Sequence, residues 1–307
     1  MFKYLIREKV IDAIRDFFKS GGFHEVFTPI LVPVPSIEPN LEVFQTQLRT
    51  AKGLKRKAYL IMSPEYSIKK LLAGGIGNCF EITKCFRNEE EVSRLHNPEF
   101  TMLEWYRVGA DYKDIMRDFE NLFLKIIGKD RLLYQGETYD LSLPWPRINF
   151  KEAFKKYAGK DVLKVKDEDF YKIFFNKIEP ALAVSHKPFF IYDYPASQAA
   201  LARRSAKDPR FAERFEVFVA GIELGNCFSE LTDYKEQKRR FEKEKTLRRT
   251  QGKTDYPIDE DFLEALKTGL QESAGIAVGV DRLIMLACDA PSISDIIAFP
   301  GSKLFKI

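Results

Sequence analysis

An α+β fold, an antiparallel sheet flanked by helices, is what these 307 residues predict. Strand-like runs gather at 80–106, 189–230 and 274–280, with helical stripes at the N-terminus and between them. No internal repeat, low-complexity stretch or Pro/Gly/Ser linker separates two cores, so residues 1–307 read as a single domain. A hydrophobic share of 45% and an aromatic share of 13% are enough to build a sizeable core, which excludes a disordered chain.

The first helix spans 7–19, where Val10, Ile11, Ile14, Phe17 and Phe18 recur at helical spacing and Gly21 and Gly22 stop it. A strand from Val26 to Val32 follows, and its Pro29 suits an edge or a subunit contact. Phe80–Arg87 and Phe100–Tyr106 form two strands joined by a polar loop. From about 112 to 180 the chain reads as mixed helices, with Phe119, Leu122, Phe123 and Ile126 as one stripe. Strands return at 189–194 and 215–230, residues 235–250 form a charged helix, and a strand at 274–280 leads into a last helix from about 281.

The N-terminal run MFKYLIREKVIDAIRDFF breaks every apolar stretch with charge, so it is neither a secretory signal nor a membrane span, and a cytoplasmic protein is expected. A net charge of +4 is too slight to announce a nucleic-acid-coating protein. Cys79, Cys85, Cys227 and Cys288 make no C-x-x-C pair, and His24, His96 and His186 are scattered, so unpaired thiols are expected rather than a zinc site or disulfides.

Three constellations carry chemistry. Phe86-Arg87-Asn88-Glu89 is followed after a loop by His96-Asn97-Pro98-Glu99-Phe100-Thr101. Strand alternation puts Glu104 and Tyr106 on one face, with Arg87 where the first strand enters the loop. A guanidinium there could clamp phosphate or carboxylate through two parallel hydrogen bonds, which a lysine cannot reproduce. A surface hairpin with an Arg87–Glu89 ion pair would use the same residues.

The second constellation runs from Arg214 to Glu230. With Ala220 and Gly221 as the two turn residues, Val219 pairs with Ile222, Phe218 with Glu223, and Glu216 falls opposite Gly225. Glu216 and Glu223 are then diagonal neighbours about 7 Å apart. They would repel unless a hard cation such as Mg²⁺, itself holding nucleotide phosphates, lay between them, or unless both are solvated on an open face. Asn226, Phe228 and Glu230 have the opposite parity to Glu223 along a regular strand, which predicts a bulge at Gly225.

In the third constellation, Gly275, Ala277 and Gly279 flatten one face of a strand while Ile276, Val278 and Val280 face the core. Arg282 at the start of the next helix could meet phosphate, although close packing of sheet on helix would leave the same pattern.

In order and character these three resemble the motifs of class II aminoacyl-tRNA synthetases: the first helix and strand near Pro29 look like motif 1, 86–106 like motif 2 and 275–286 like motif 3. FRNE, HNPEFTMLEWY and GIELGNCFSELTD are similar to lysyl-tRNA synthetase over nearly the whole chain. Motif 1 begins almost at Met1, so no anticodon-binding domain of roughly a hundred residues is expected. With Ser63-Pro64-Glu65-Tyr66, Tyr194-Pro195-Ala196-Ser197-Gln198-Ala199 and Ala277, the chain resembles a truncated paralogous family, the elongation factor P lysine ligases, which attach a lysyl group to a protein lysine.

The resemblance implies ATP as substrate, Mg²⁺, a class II catalytic fold, a homodimer through motif 1, elongation factor P as acceptor and no need of tRNA or membrane. It implies that Arg87 holds the α-phosphate and the substrate carboxylate, that Arg282 binds the γ-phosphate side, and that Phe100 stacks on adenine. Asn88, Glu89, His96, Asn97, Glu223, Leu224 and Gly279 complete the ATP site, and Glu216 and Glu223 carry the metal. Ser63, Pro64, Glu65, Tyr106 and Glu230 take the amino acid and its amines, with Glu104, Asn226 and Phe228 shaping the pocket. Ala277 stands where lysyl-tRNA synthetases have glycine, implying a preference for (R)-β-lysine over α-lysine. The Arg87–His96 loop is one residue longer than the family pattern, which leaves Glu90, Glu91 and His96 open.

Two rivals remain at this level. A minimal tRNA-charging enzyme would share the activation chemistry, and the run from Lys235 to Lys253, with nine Lys or Arg against three Glu, could serve it unless it is simply a solvated helix. A catalytically dead regulatory subunit would show damaged motifs, whereas Arg87, Glu89, Glu216, Glu223 and Arg282 all stand.

Overall fold

A computed structural model describes residues 2–38, 41–199 and 201–306. Helix α1 (Phe2–Ser20) is followed by strands β1 (His24–Glu25), β2 (Leu31–Val32), β3 (Gln45–Arg49) and β4 (Lys55–Leu60), helix α2 (Glu65–Ala73), strands β5 (Cys79–Phe86) and β6 (Glu99–Val108), and helix α3 (Tyr112–Ile127). Then come a hairpin of β7 (Arg131–Tyr134) and β8 (Glu137–Asp140), strand β9 (Arg147–Asn149), and the short helices α4 (Phe150–Ala153), α5 (Asp167–Ile173) and α6 (Glu179–Ala183). Strands β10 (Phe189–Pro195), β11 (Phe211–Val219) and β12 (Ile222–Ser229) lead to α7 (Tyr234–Thr250), α8 (Glu260–Gly269), β13 (Ser273–Gly279), α9 (Val280–Ala287) and α10 (Gly301–Phe305).

Eight strands form the main sheet in the order β1-β5-β6-β13-β12-β11-β10-β9. The six central strands pair antiparallel, and the two-residue β1 and three-residue β9 join parallel at the edges. One sheet face carries Phe80, Leu103, Trp105, Phe215, Val217, Cys227, Ile276 and Val278, buried against Val10, Ile14 and Phe18 of α1, Phe119 and Phe123 of α3 and Leu283 and Ile284 of α9. The alternation of strand side chains sends the residues between them to the opposite face. That face is flanked on one side by α2, α7 and α8 around Tyr66, Phe241 and Phe262, and on the other by the aromatic cluster of Phe150, Phe154, Phe170 and Phe174 under β10 and β11. Between the two flanks the sheet is left open, and this gap is where the site lies.

The expected Val26–Val32 strand is corrected. The chain leaves the main sheet after Val26, whose N–H still donates to the Phe80 carbonyl (2.9 Å), and Thr28 N–H turns to the Glu81 carboxylate (2.9 Å). Pro29 has no N–H for a ladder, so pairing resumes only at Leu31–Val32, in a separate sheet with β4. The reading of 112–180 as helices alone also fails, because β7, β8 and β9 lie within it. Nor is 235–250 a solvated helix: Gln237, Arg240, Phe241, Glu244 and Arg248 form a buried face of α7.

Ala220 (φ 52°) and Gly221 (φ 70°) make the expected two-residue turn, with Val219 opposite Ile222 and Phe218 opposite Glu223. The ladder then slips: Val217 faces Gly225, and Glu216 faces Asn226 instead of Gly225. Leu224 is the extra residue, so the bulge is present but one residue before the expected Gly225. Its cause differs. A Cβ at Gly225 would lie 3.0 Å from Ile276 Cδ1 and 3.1 Å from the Ala277 carbonyl, so glycine is needed there for the close approach of β13. All four cysteines are free, three of them buried.

Candidate active site

A cavity of about 500 Å³ opens on the free face of the sheet. Its floor is two rows of cross-strand neighbours: Glu104, Ala277 and Asn226 in one, continued behind the wall by Glu216, and Tyr106, Gly275, Phe228 and Arg214 in the other. Gly275 has a steric reason, since the Tyr106 ring lies across its bare Cα where any Cβ would collide. The Leu224 bulge restores parity, so Glu223 shares the face of Asn226 and Phe228.

An acidic cluster occupies the α2 side. Ser63 Oγ donates to Glu104 (2.9 Å) and accepts from Glu65 N–H (3.0 Å) at the start of α2. Lys69, one turn along α2 from Glu65, reaches Glu65 and Glu230 at 2.5 Å each while itself 2% exposed. Burial alone would lower the Lys69 pKa, but the charges of Glu230 and Glu65 overcome it and hold the ammonium. Burial raises the Glu104 carboxyl well above the carboxylate range, and the Glu65 charge adds to it. Glu230 is pushed up to about 7 by burial, in spite of Lys69.

A basic cluster faces it. Arg87, at the exit of β5, lies over the Phe100 ring at 5.1 Å and 3.5 Å from Glu90. Its buried Nε has no hydrogen-bond partner. Arg282, in the first turn of α9, donates to the Glu223 carbonyl (2.7 Å) and to His96 Nε2 (2.9 Å). Nε2 thus accepts, and Nδ1–H donates to Ser93 Oγ (2.9 Å). Burial, helped by Arg282 and Arg87 against Glu90, lowers the His96 pKa and keeps the ring neutral near pH 7. Asn97 spends its amide on the Glu99 carbonyl (2.6 Å) and Gly301 N–H (2.8 Å), which holds α10 against the loop.

Glu216 is 7% exposed and ion-paired with Arg214 at 2.6 Å. Burial first, then the charge of Glu223, raise it to about 7 against the pull of Arg214. This mutual repulsion is what a hard cation would relieve. Among the described residues no three His, Cys, Asp or Glu side chains gather into a complete metal site. A cation here would therefore need phosphate oxygens as further ligands, which is the habit of Mg²⁺. The donor set fits.

Of the residues expected from the sequence, the structure brings Ser63, Glu65, Arg87, His96, Asn97, Phe100, Glu104, Tyr106, Glu223, Leu224, Asn226, Phe228, Ala277, Gly279 and Arg282 to the cavity wall. Glu216 and Glu230 lie buried just behind it. Pro64 caps α2, Asn88 bonds through its N–H to the Glu42 carbonyl, and Glu89 is exposed with φ 57°, so Glu90 reaches the wall instead. The Arg87–Glu89 ion pair of the alternative reading is absent among the described residues, and Arg87 pairs with Glu90. Sequence reasoning missed Glu38, Tyr171, Arg214 and Glu244 at the wall and Lys69 behind it. Arg214 and Lys69 had a local signal, two residues from Glu216 on a strand and four from Glu65 on a helix; the others arrive from distant elements.

Residues 3–303 match the family of class II tRNA synthetases (D, K and N). The chain is 42% identical over 309 residues to the elongation factor P--(R)-beta-lysine ligase of Proteus mirabilis (strain HI4320), covering 96% of this chain and 94% of that one. The ligase of the same name from Vibrio atlanticus (strain LGP32) is 39% identical, with 96% and 94% covered. The lysine--tRNA ligase of Pelotomaculum thermopropionicum is 37% identical, with 97% of this chain but 63% of that protein covered. The chain belongs to the class II tRNA synthetases (D, K and N) and, within them, to the family of the elongation factor P--(R)-beta-lysine ligases.

Proposed function

We propose that this protein activates (R)-β-lysine, or lysine, with ATP and transfers it to a lysine side chain of translation elongation factor P. The observation that carries the reading is the gathering of Glu65 and Glu104, with Glu230 buried behind them, at one part of a cavity whose other part holds Arg87 and Arg282. Such a site suits a substrate with two ammonium groups and one carboxylate lying against a triphosphate.

In this reading the substrate carboxylate attacks the α-phosphorus of ATP in line, pyrophosphate leaves, and a mixed anhydride with AMP forms. Arg87 orients the two reacting groups through its fork, and its unpartnered Nε is the donor that a phosphate oxygen completes. Arg282, held in place by the Glu223 carbonyl and His96, spreads the charge of the leaving pyrophosphate. Phe100, with Arg87 over one face, offers a ring for adenine. Glu216 and Glu223 hold Mg²⁺, which supplies charge neutralisation to the phosphates when bound. The acceptor amine, once deprotonated, attacks the anhydride carbonyl; the C–O bond to AMP breaks and an amide forms.

Ala277 sits on the floor between Glu104 and Asn226, where its methyl group occupies space beside the acidic cluster. This supports a preference for the isomer whose amine is one carbon farther from the carboxylate. In this reading residues 1–307 act, in the cytoplasm, as one catalytic unit, which the family match over residues 3–303 supports. Phe27, 79% exposed, with Ile30 and Leu31 in the segment that leaves the sheet, supports a homodimer through that segment. The tRNA-charging alternative has less support, since identity and the share of the relative's own length covered are both higher with the ligases of elongation factor P. ATP–pyrophosphate exchange tests the activation step: isotope should enter ATP with Mg²⁺ and (R)-β-lysine, more slowly with α-lysine, and absence of exchange with both would end the reading.

A further inference from the structure

Two carboxylates at the cavity wall have no task in the reaction just described. Glu38 comes from the loop between β2 and β3, and Glu244 from the buried face of α7. Glu244 is 8% exposed, and its Oε2 has no hydrogen-bond partner. Most of the cations whose charge reaches them are committed elsewhere: Arg87 pairs with Glu90 and Arg214 with Glu216, while Lys243 is exposed. Arg240 bonds Glu236 and the Ala199 and Ala202 carbonyls, Arg248 bonds Glu42, Lys245 pairs with Asp255, and Lys69 is shared by Glu65 and Glu230. Glu38, Glu65 and Glu244 lie close enough that Glu65 repels both others and Glu38 repels Glu244. A buried carboxylate left without a partner is costly, and a charge-assisted bond from a ligand ammonium would complete it.

In the reading above Glu104, with Ser63 Oγ donating to it and Tyr106 beside it, serves one ammonium, and Glu65 and Glu230 share Lys69. We propose that Glu38 and Glu244, with Glu65, form a second ammonium subsite that receives the other amine of a diamino acid and sets the preference for diamino over monoamino substrates. This subsite rests on the amino-acid activation proposed above.

The test is ATP–pyrophosphate exchange by the wild type, Glu244→Gln and Glu38→Gln with (R)-β-lysine, α-lysine and 2-aminohexanoic acid, which lacks the side-chain amine. Both variants should raise KM for the preferred lysine isomer about tenfold or more and leave KM for ATP within about twofold. Their preference for the diamino acid over 2-aminohexanoic acid should fall by a similar factor. A loss that was merely structural would slow all substrates alike and leave that preference unchanged. Wild-type exchange with both variants keeping the wild-type KM and preference would overturn the subsite alone. A wild type inert with both lysine isomers would instead remove the activation reading and the subsite with it.

Discussion

In the proposed reaction Arg87 is the side chain on which activation turns. It leaves β5 where the strand opens into the loop, and its guanidinium is planar, stacked over Phe100 and short of one partner at Nε. Arg87→Ala should lower the exchange rate by about 10²–10³-fold, and Arg87→Lys should recover little, because an ammonium cannot make two parallel bonds. Retained exchange in the alanine variant would contradict this role. Ala277→Gly should narrow the preference between lysine isomers by about tenfold, within the 1–3 kcal/mol that one methyl group controls; kcat/KM for the two isomers measures it. Glu244 allows a prediction on pH. Burial, and next the Glu38 charge, raise its carboxyl from 4.5 to about 8. An acid whose folded-state pKa is raised binds more protons folded than unfolded, so this contribution to stability falls as pH climbs from about 4.5 and is fully lost above about 8. Glu244→Gln removes the titration. Its Tm should exceed that of the wild type by a few degrees at pH 9, with the gap closing toward pH 5, and a gap of the opposite sign would count against the buried, unpaired carboxylate.

At the scale of elements, the bulge in β12 decides which carboxylates meet. Without the extra Leu224, Glu223 and Asn226 would point to opposite faces. Gly225→Ala would press a methyl group to 3.0 Å from Ile276 and 3.1 Å from Val278, forcing β12 and β13 apart. The expected cost is about 1–3 kcal/mol in a denaturant titration, together with a raised KM for ATP as Glu223 shifts. Helix α7 has a different duty. Arg248, 1% exposed, donates to the Glu38 and Leu41 carbonyls, to Glu42 and to the Thr254 carbonyl, so it fixes the loop that carries Glu38. Arg248→Ala should cost about 3–5 kcal/mol because Glu42 is left without its cation; urea midpoints would reveal it. The bulge was legible because it follows from parity along one strand: Glu223 against Asn226, Phe228 and Glu230. The β5–β6 pair and the flat glycine face of β13 were legible for the same local reason. The Val26–Val32 strand was misread because a largely apolar run was read as one strand through Pro29, which has no N–H to give a ladder. The buried face of α7 was hidden because its lining is polar. Arg240 and Arg248 satisfy distant carbonyls and a carboxylate, Glu244 is buried beside them, and nothing in their spacing tells which charges will be covered.

Across the whole molecule, the layering explains the division of labour. One face of the sheet is sealed by α1, α3 and α9 and supplies stability, while the other is left open between two helical flanks and supplies chemistry. Family membership, the class II motifs and most of the floor could be read from the chain, because those residues sit on strands with fixed alternation. Lys69 bridging to Glu230, and Glu38 sharing the cavity wall with Glu244, could not, since each pair is more than a hundred residues apart. No helix among the described residues is long and apolar enough to cross a membrane. The central claim is that the activated amino acid goes to a protein lysine. Its most direct test incubates the protein with Mg²⁺-ATP and (R)-β-lysine, offers elongation factor P and lysine tRNA together as acceptors, and reads intact mass and label. One lysyl increment on the factor, with AMP released and the tRNA unlabelled, is the expected result; label on the tRNA with an unmodified factor would contradict it.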